Sequence, residues 1–282
     1  MPYEGFEDHF TKKVIISVAT TGGLHGKEAN QNLPTQPQEV AADVAACESA
    51  GASIVHLHAR DEADRDTKSV RRFQMLRDAI EEKCDNIIIN FTTGGAYPRE
   101  ERLRPVLEVE PRPEVATIDI GPVNFGQDTV REYCRAQNEE FAEKMAEVGV
   151  KPELEVFSPG HLTEFNHLVE HDYVEEPYWA SLIFGMQTGT LPRPRNLINL
   201  VDNLPDGTEW QCVAVGKYQL PLTTIAMTLG GHIRVGLEDN VYFRQGELAE
   251  SNAQLVRRSA TIAEELGRPI ASPADAREIL GL

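Results

Sequence analysis

The chain predicts an α/β fold, a single (β/α)8 or TIM barrel, and three observations carry that expectation. Eight short runs rich in β-branched residues alternate with eight amphipathic stretches from end to end. The runs are hydrophobic almost throughout, as strands of a parallel sheet covered on both faces must be. At 282 residues, with no linker, low-complexity tract or short repeat, the chain has the length of one such unit. The expected domain is 1–282, with 1–11 as an N-terminal extension.

In chain order the strands are expected at "KVIISVA" (13–19), "SIVHLHA" (53–59), "NIIINF" (86–91) and "EVATIDI" (114–120). "ELEVF" (153–157), "WASLIFG" (179–185), "EWQCVAV" (209–215) and "HIRVG" (232–236) complete the eight. Between them the 3.6-residue period predicts helices over 37–50, 70–83, 99–109, 129–148, 162–171, 195–204, 220–229 and 247–266. Thr35 and Gln38 have the spacing of a capping box for the first helix, which ends at Gly51.

Composition excludes several classes of function. Asp and Glu number 45 against 27 Lys and Arg, a formal charge of −18 that repels nucleic acid and anionic membranes. No apolar stretch approaches the roughly 18 residues of a membrane span, and "MPYEGFEDHF" lacks the order of a signal peptide. Four widely spaced cysteines form no CxxC pair and read as reduced thiols, so a cytoplasmic protein is expected. Only 8 of the 27 cations are lysine. Acid excess with few lysines points to a halophilic surface, one adapted to a salt-rich interior.

In a barrel of this kind the chemistry sits at the C-terminal ends of the strands. Thr20, Thr21, His56, His58, Thr92, Thr93, Thr117, Asp119, Glu155, Arg234, Glu238 and Asp239 all fall there. Alternation sends His56 and His58 to one face, about 6.6 Å apart along the strand, where two imidazoles can lean over one cation. An HxH pair alone is equally a pair of histidines satisfied by backbone groups. Glu238 or Asp239, just beyond the last strand, could complete a set of two histidines and one carboxylate with open coordination positions. Glu153 and Glu155 share a strand face, Glu153 reading as a solvated strand end and Glu155 as a carboxylate in the mouth. "TTGGAY" (92–97), with Gly94 and Gly95, is a tight turn that lets a ligand approach the backbone, or a plain βα turn. His167 and His171, four apart with Glu170 alongside, are a rival metal set. They lie on a helix outside the barrel and read as a solvated face.

These motifs together resemble the β-keto acid cleavage enzymes, of which the 3-keto-5-aminohexanoate cleavage enzyme of lysine fermentation is the best-known member. "NLPTQPQEVAADVAACESAGASIVHLHAR", "TTGG", "ATIDIGPVNFG", "PELEVF", "GGHIRVGLEDN" and "ESNAQLVRRSATIAEELGRPIASPADAREIL" run in family order over nearly the whole chain. The resemblance implies a TIM barrel with Zn2+ held by His56, His58 and Glu238. It implies condensation of a β-keto acid with acetyl-CoA and cleavage to acetoacetate and a new acyl-CoA. Asp239, Arg234 and Glu155 become the expected catalytic residues, and Thr92, Thr117, Gly94 and Gly95 the substrate contacts. A homo-oligomer, expected as a tetramer, is implied too. Two departures are visible. Leu24 stands where the lysine-fermentation enzyme has a glutamate suited to its substrate's ammonium, with Glu28 the other candidate for that place. Thr92 replaces a serine and keeps the hydroxyl. Alternatives open to the residues alone are a zinc aldolase or hydrolase on the same barrel, or a metal-dependent ligand sensor without catalysis.

The charge carries a prediction of its own. Self-repulsion at −18 is screened by salt, so the melting temperature is expected to rise as KCl goes from low to molar concentration. A flat or falling temperature would mark an ordinary acidic protein.

Overall fold

The computed structural model describes residues 11–124 and 128–282. All of the expected N-terminal extension except Thr11 therefore lies outside the described residues. Eight parallel strands close in sequence order. They are β1 (Ile16–Ala19), β2 (Ile54–Leu57), β3 (Ile88–Phe91), β4 (Val115–Asp119), β5 (Lys151–Val156), β6 (Tyr178–Phe184), β7 (Thr208–Ala214) and β8 (His232–Val235). The last pairs back to the first, with Ser17 opposite Arg234. The helices that follow are α1 (Pro37–Ser49), α2 (Val70–Glu81), α3 (Arg99–Glu108), α4 (Arg135–Glu147), α5 (His161–Glu170), α6 (Pro194–Val201), α7 (Gln219–Thr228) and α8 (Asn252–Glu265). Among the described residues no helix is long and apolar enough to cross a membrane.

Outward-facing strand residues such as Ile16, Val55, Ile89 and Leu154 join the helices in one continuous core. Inside the barrel the side chains form layers. Ile15, Ile54, Ile88, Val115 and Trp179 make an apolar floor. A ninth helix, α9 (Pro273–Leu280), packs Ala276 and Leu280 against that floor and is started by a Ser272–Asp275 capping box. The sequence expectation ended at residue 266 and missed this helix.

Above the floor lies a polar layer around Glu153, which is fully buried. Its carboxylate accepts hydrogen bonds from Asn90 and Ser181, from Trp179 Nε1 at 3.2 Å and from Gln211 Nε2 at 3.1 Å. The expectation of a solvated strand end is therefore wrong for Glu153. A buried carboxylate is tolerable there because four donors replace its water.

Other differences have local causes. The first helix is capped one residue later than expected. Glu39 accepts the backbone N–H of Gln36 at 3.2 Å and of Thr35 at 3.0 Å, and Gln38 has no part in it. The helix expected from 129 begins at Arg135, because Val130–Arg131 pairs with Val123–Asn124 as a small ribbon. The helix expected from 247 begins at Asn252, where Ser251 accepts the Gln254 N–H, and the preceding Tyr242–Arg244 and Glu247–Leu248 form a hairpin.

Replacing Glu153 by Ala would leave buried donors unpaired. Each costs on the order of 1–3 kcal/mol, so denaturant unfolding is expected to show a loss of roughly 3 kcal/mol or more. An unchanged midpoint would contradict the layer's structural role.

Candidate active site

The C-terminal ends of the strands surround a cavity of about 200 Å3. Gly236, just after β8, sets its geometry. Its φ of +140° and the Ala19 carbonyl oxygen, 2.1 Å from where a Cβ would stand, leave room for no side chain. The chain turns there against β1, and the Glu238 N–H reaches the Ala19 carbonyl at 3.2 Å. Glu238 is thereby aimed back over the barrel toward β2.

His56 and His58 meet it. Their Nε2 atoms lie 3.7 and 3.6 Å from Glu238 Oε1. Among the described residues this trio is the one group of three His, Cys, Asp or Glu side chains placed to hold a metal ion, its ligand atoms all within 4.8 Å of one another. The fit to a cation is also chemical. Glu238 Oε2 and His56 Nδ1 are buried without a hydrogen-bond partner, and His58 Nδ1 lies 3.4 Å from Asp66 Oδ1, a contact that leaves Nε2 free to ligate. Burial, and then the charge of Arg234, push His56 well below its usual range, so its ring is neutral. Burial works to raise Glu238, but the charge of Arg234 outweighs it and holds the carboxyl at about 2.

Arg234, fully engaged, organises the acids. Its Nη2 donates to Glu238 Oε1 at 2.7 Å. Nε and Nη2 donate to Asp239 at 2.9 and 3.0 Å, and Nη1 reaches Glu155 Oε1 at 3.5 Å. Burial would lower Arg234, yet Asp239 and Glu238 raise it well above its usual range and keep it charged. Burial raises Asp239 against the pull of Arg234.

Thr92, Gly94 and Gly95 line the cavity with Asp119 and Glu155, and Phe157, Ile183, Met186, Val213 and Val215 form its apolar wall. Thr117 stands elsewhere. It is fully buried, and its hydroxyl accepts the Thr93 N–H at 3.1 Å and so supports the turn. Leu24, 72% exposed, sits at the rim, whereas Glu28 turns its carboxylate to the Gly26 N–H at 2.7 Å and does not line the cavity. The rival His167 and His171 stack at 4.2 Å, and His167 Nε2 meets Glu139 at 2.8 Å. Asp66 and Tyr133, both lining the cavity, were not singled out from sequence. Asp66 lies on a short ribbon (Ala59–Arg60 with Asp66–Thr67) whose pairing no periodicity signals.

The mouth of this parallel barrel thus brings an imidazole pair, a low-pKa carboxylate and a buried Arg–Asp pair together around one cavity, the polar cluster of a barrel enzyme. Residues 13–282 match the beta-keto acid cleavage enzyme family, and the chain belongs to that family. It is 38% identical to the 3-keto-5-aminohexanoate cleavage enzyme of Acetoanaerobium sticklandii over 273 residues, 96% of this chain and 99% of that one. It is 33% identical to the 3,5-dioxohexanoate:acetyl-CoA acetone transferase of Paraburkholderia graminis, covering 96% of each. The apo structure of ObcA superposes with a TM-score of 0.80 at 20% identity over 89% of this chain and 66% of that one, a likeness of fold.

Gly22 tests the geometry of the trio. A Cβ at its φ of +66° would stand 2.7 Å from Glu238 Cγ. Gly22→Ala is expected to displace Glu238 and weaken capture of a divalent cation by about tenfold or more, read by competition titration. Undiminished affinity would remove Glu238 from the ligand set.

Proposed function

We propose that this cleavage enzyme is zinc-dependent and exchanges acyl groups between a β-keto acid and acetyl-CoA. R–CO–CH2–COO− and CH3–CO–SCoA become acetoacetate and R–CO–SCoA. The observation that carries this reading is the convergence of His56, His58 and Glu238 beside the Arg234–Asp239 pair. The acetyl-CoA partner is taken from the names of relatives such as the acetone transferase and the 3-oxoadipate:acetyl-CoA acetyltransferase of Cupriavidus necator.

Two imidazoles and one carboxylate are a donor set suited to zinc with coordination positions left for substrate. Bound there, zinc would supply Lewis acidity toward the keto acid's ketone. The rest of the work falls to the chain's own groups. Asp239, its carboxyl raised by burial and held at both oxygens by Arg234, takes the proton from the carbon between ketone and carboxylate. Arg234 acts by positioning, because its donors already face Asp239, Glu238 and Glu155. Thr92 and the Gly94–Gly95 turn contact the substrate's polar end, while Phe157, Ile183 and Val213 exclude water and accept its tail. Glu155 supports Arg234 from the opposite side.

The purified protein should bind about one zinc per chain and form acetoacetate from acetyl-CoA with a β-keto acid panel. His58→Ala should lose both metal and turnover and stay folded, with His167→Ala as the control that keeps them. Turnover without acetyl-CoA, or full zinc occupancy in His58→Ala, would overturn the reading.

Leu24 at the rim bears on the substrate. An ammonium brought beside a leucine loses water and gains no partner. A neutral-tailed keto acid is therefore expected to show the higher kcat/KM than 3-keto-5-aminohexanoate. Leu24→Glu should shift that ratio toward the amino substrate by roughly tenfold or more. A wild type that prefers the amino substrate would contradict the role given to Leu24.

A further inference from the structure

We propose that Asp119 and Glu155 form a carboxyl pair holding one proton between them, the proton on Glu155 and the buried Lys68 on the Asp119 side. The two are register partners on the neighbouring strands β4 and β5. Both line the cavity and are only 5% and 7% exposed. Their side chains are within hydrogen-bond contact of each other. Ionised carboxylates are acceptors only, so such a contact needs a proton in it. Asp119 Oδ2 is buried under Gly94, where a Cβ would stand 3.2 Å away, and meets no donor from nitrogen or hydroxyl. A protonated Glu155 provides a donor for the oxygen Oδ2 that otherwise has none.

The surroundings decide which partner keeps the charge. On the Asp119 side Lys68 is buried, its Nζ has no hydrogen-bond partner, and burial lowers it to about 8 against the opposing fields of Asp66 and Asp119. Arg102 also feels Asp119, and Arg131 and Tyr133 line the same side of the cavity. His161, from α5, adds no charge. Its Nδ1 accepts the Phe157 N–H at 3.3 Å, which requires a neutral ring, and burial lowers its pKa. On the Glu155 side the cation is Arg234, whose closer bonds go to Asp239 and Glu238. Glu153 adds a further negative charge from the layer below. Burial first, and then the charge of Asp119, push Glu155 well above the usual carboxylate range.

A neutral Glu155 has two consequences. It removes one negative charge from a mouth that must admit an anionic keto acid. It also leaves Arg234 bonded to Asp239 instead of drawn toward a third carboxylate. Asp119 is thus a positioning residue that acts through Glu155. The inference rests on the proposed reaction for its kinetic readout alone.

The test is infrared spectroscopy of the purified protein. The wild type minus E155Q difference spectrum should show the carbonyl stretch of a protonated carboxyl at neutral pH. In D119N, compared with D119N/E155Q, that band should be lost at neutral pH and return only on acidification. The alkaline limb of kcat/KM should move in opposite directions, down by about 1 pH unit or more in D119N and up in K68M. No protonated carboxyl in the wild type, an unchanged band in D119N, or shifts in the same direction would overturn the pair. Because the band needs no turnover, its loss can be told apart from an error in the assigned reaction.

Discussion

The buried guanidinium of Arg234 is the constraint on which the mouth of this barrel depends. It is 4% exposed and faces three carboxyl groups, two of them at 2.7–3.0 Å. Taking such charges out of water costs several kcal/mol per ion, offset only where geometry and hydrogen bonds are good. Here each acid draws its charge state or its position from the same cation. Glu238 stays ionised because Arg234 touches it, Asp239 is held at both oxygens, and the two histidines converge on the oxygen that Arg234 also bonds. A lysine would supply the charge without the fork that serves several carboxylates at once.

The rest of the barrel keeps that cluster in place by layers. The apolar floor, sealed by α9, supports the polar layer around Glu153, and the polar layer supports the mouth. Gly236 connects the two ends of the sheet, since only a residue without a side chain lets the loop carrying Glu238 lie on the Ala19 carbonyl. Several other buried arginines are tied to backbone carbonyls. Arg268, for example, donates to the carbonyls of Met227 and Gly231 near the floor.

Much of this was legible in the sequence because it depends on local pattern. Continuous β-branched runs mark buried parallel strands, and the placement of His56, His58 and Glu238 at strand ends follows from alternation and from closure of the eighth strand. Long-range pairing left no such mark. Glu153 and Glu155 share one periodicity, yet one is locked inside the barrel and the other opens on the cavity, because partners from β3, β6 and β7 meet only Glu153. Thr117 has the strand-end position of a substrate contact, and the neighbouring turn takes its hydroxyl instead. Arg234 was expected as a catalytic residue, and nothing in "GGHIRVGLEDN" says that its fork closes on Glu238 and Asp239 in the loop just after its strand. The Asp66 ribbon and α9 were missed for the same reason. Their roles come from what they pack against.

The central claim is that a cation sits between two imidazoles and one carboxylate at the mouth of this barrel. X-ray absorption at the zinc edge of the zinc-loaded protein tests it most directly. The account predicts a shell of light atoms with the multiple-scattering signature of two imidazoles, reduced to one in His56→Ala. Sulfur in the shell, or two imidazoles persisting in that variant, would contradict it.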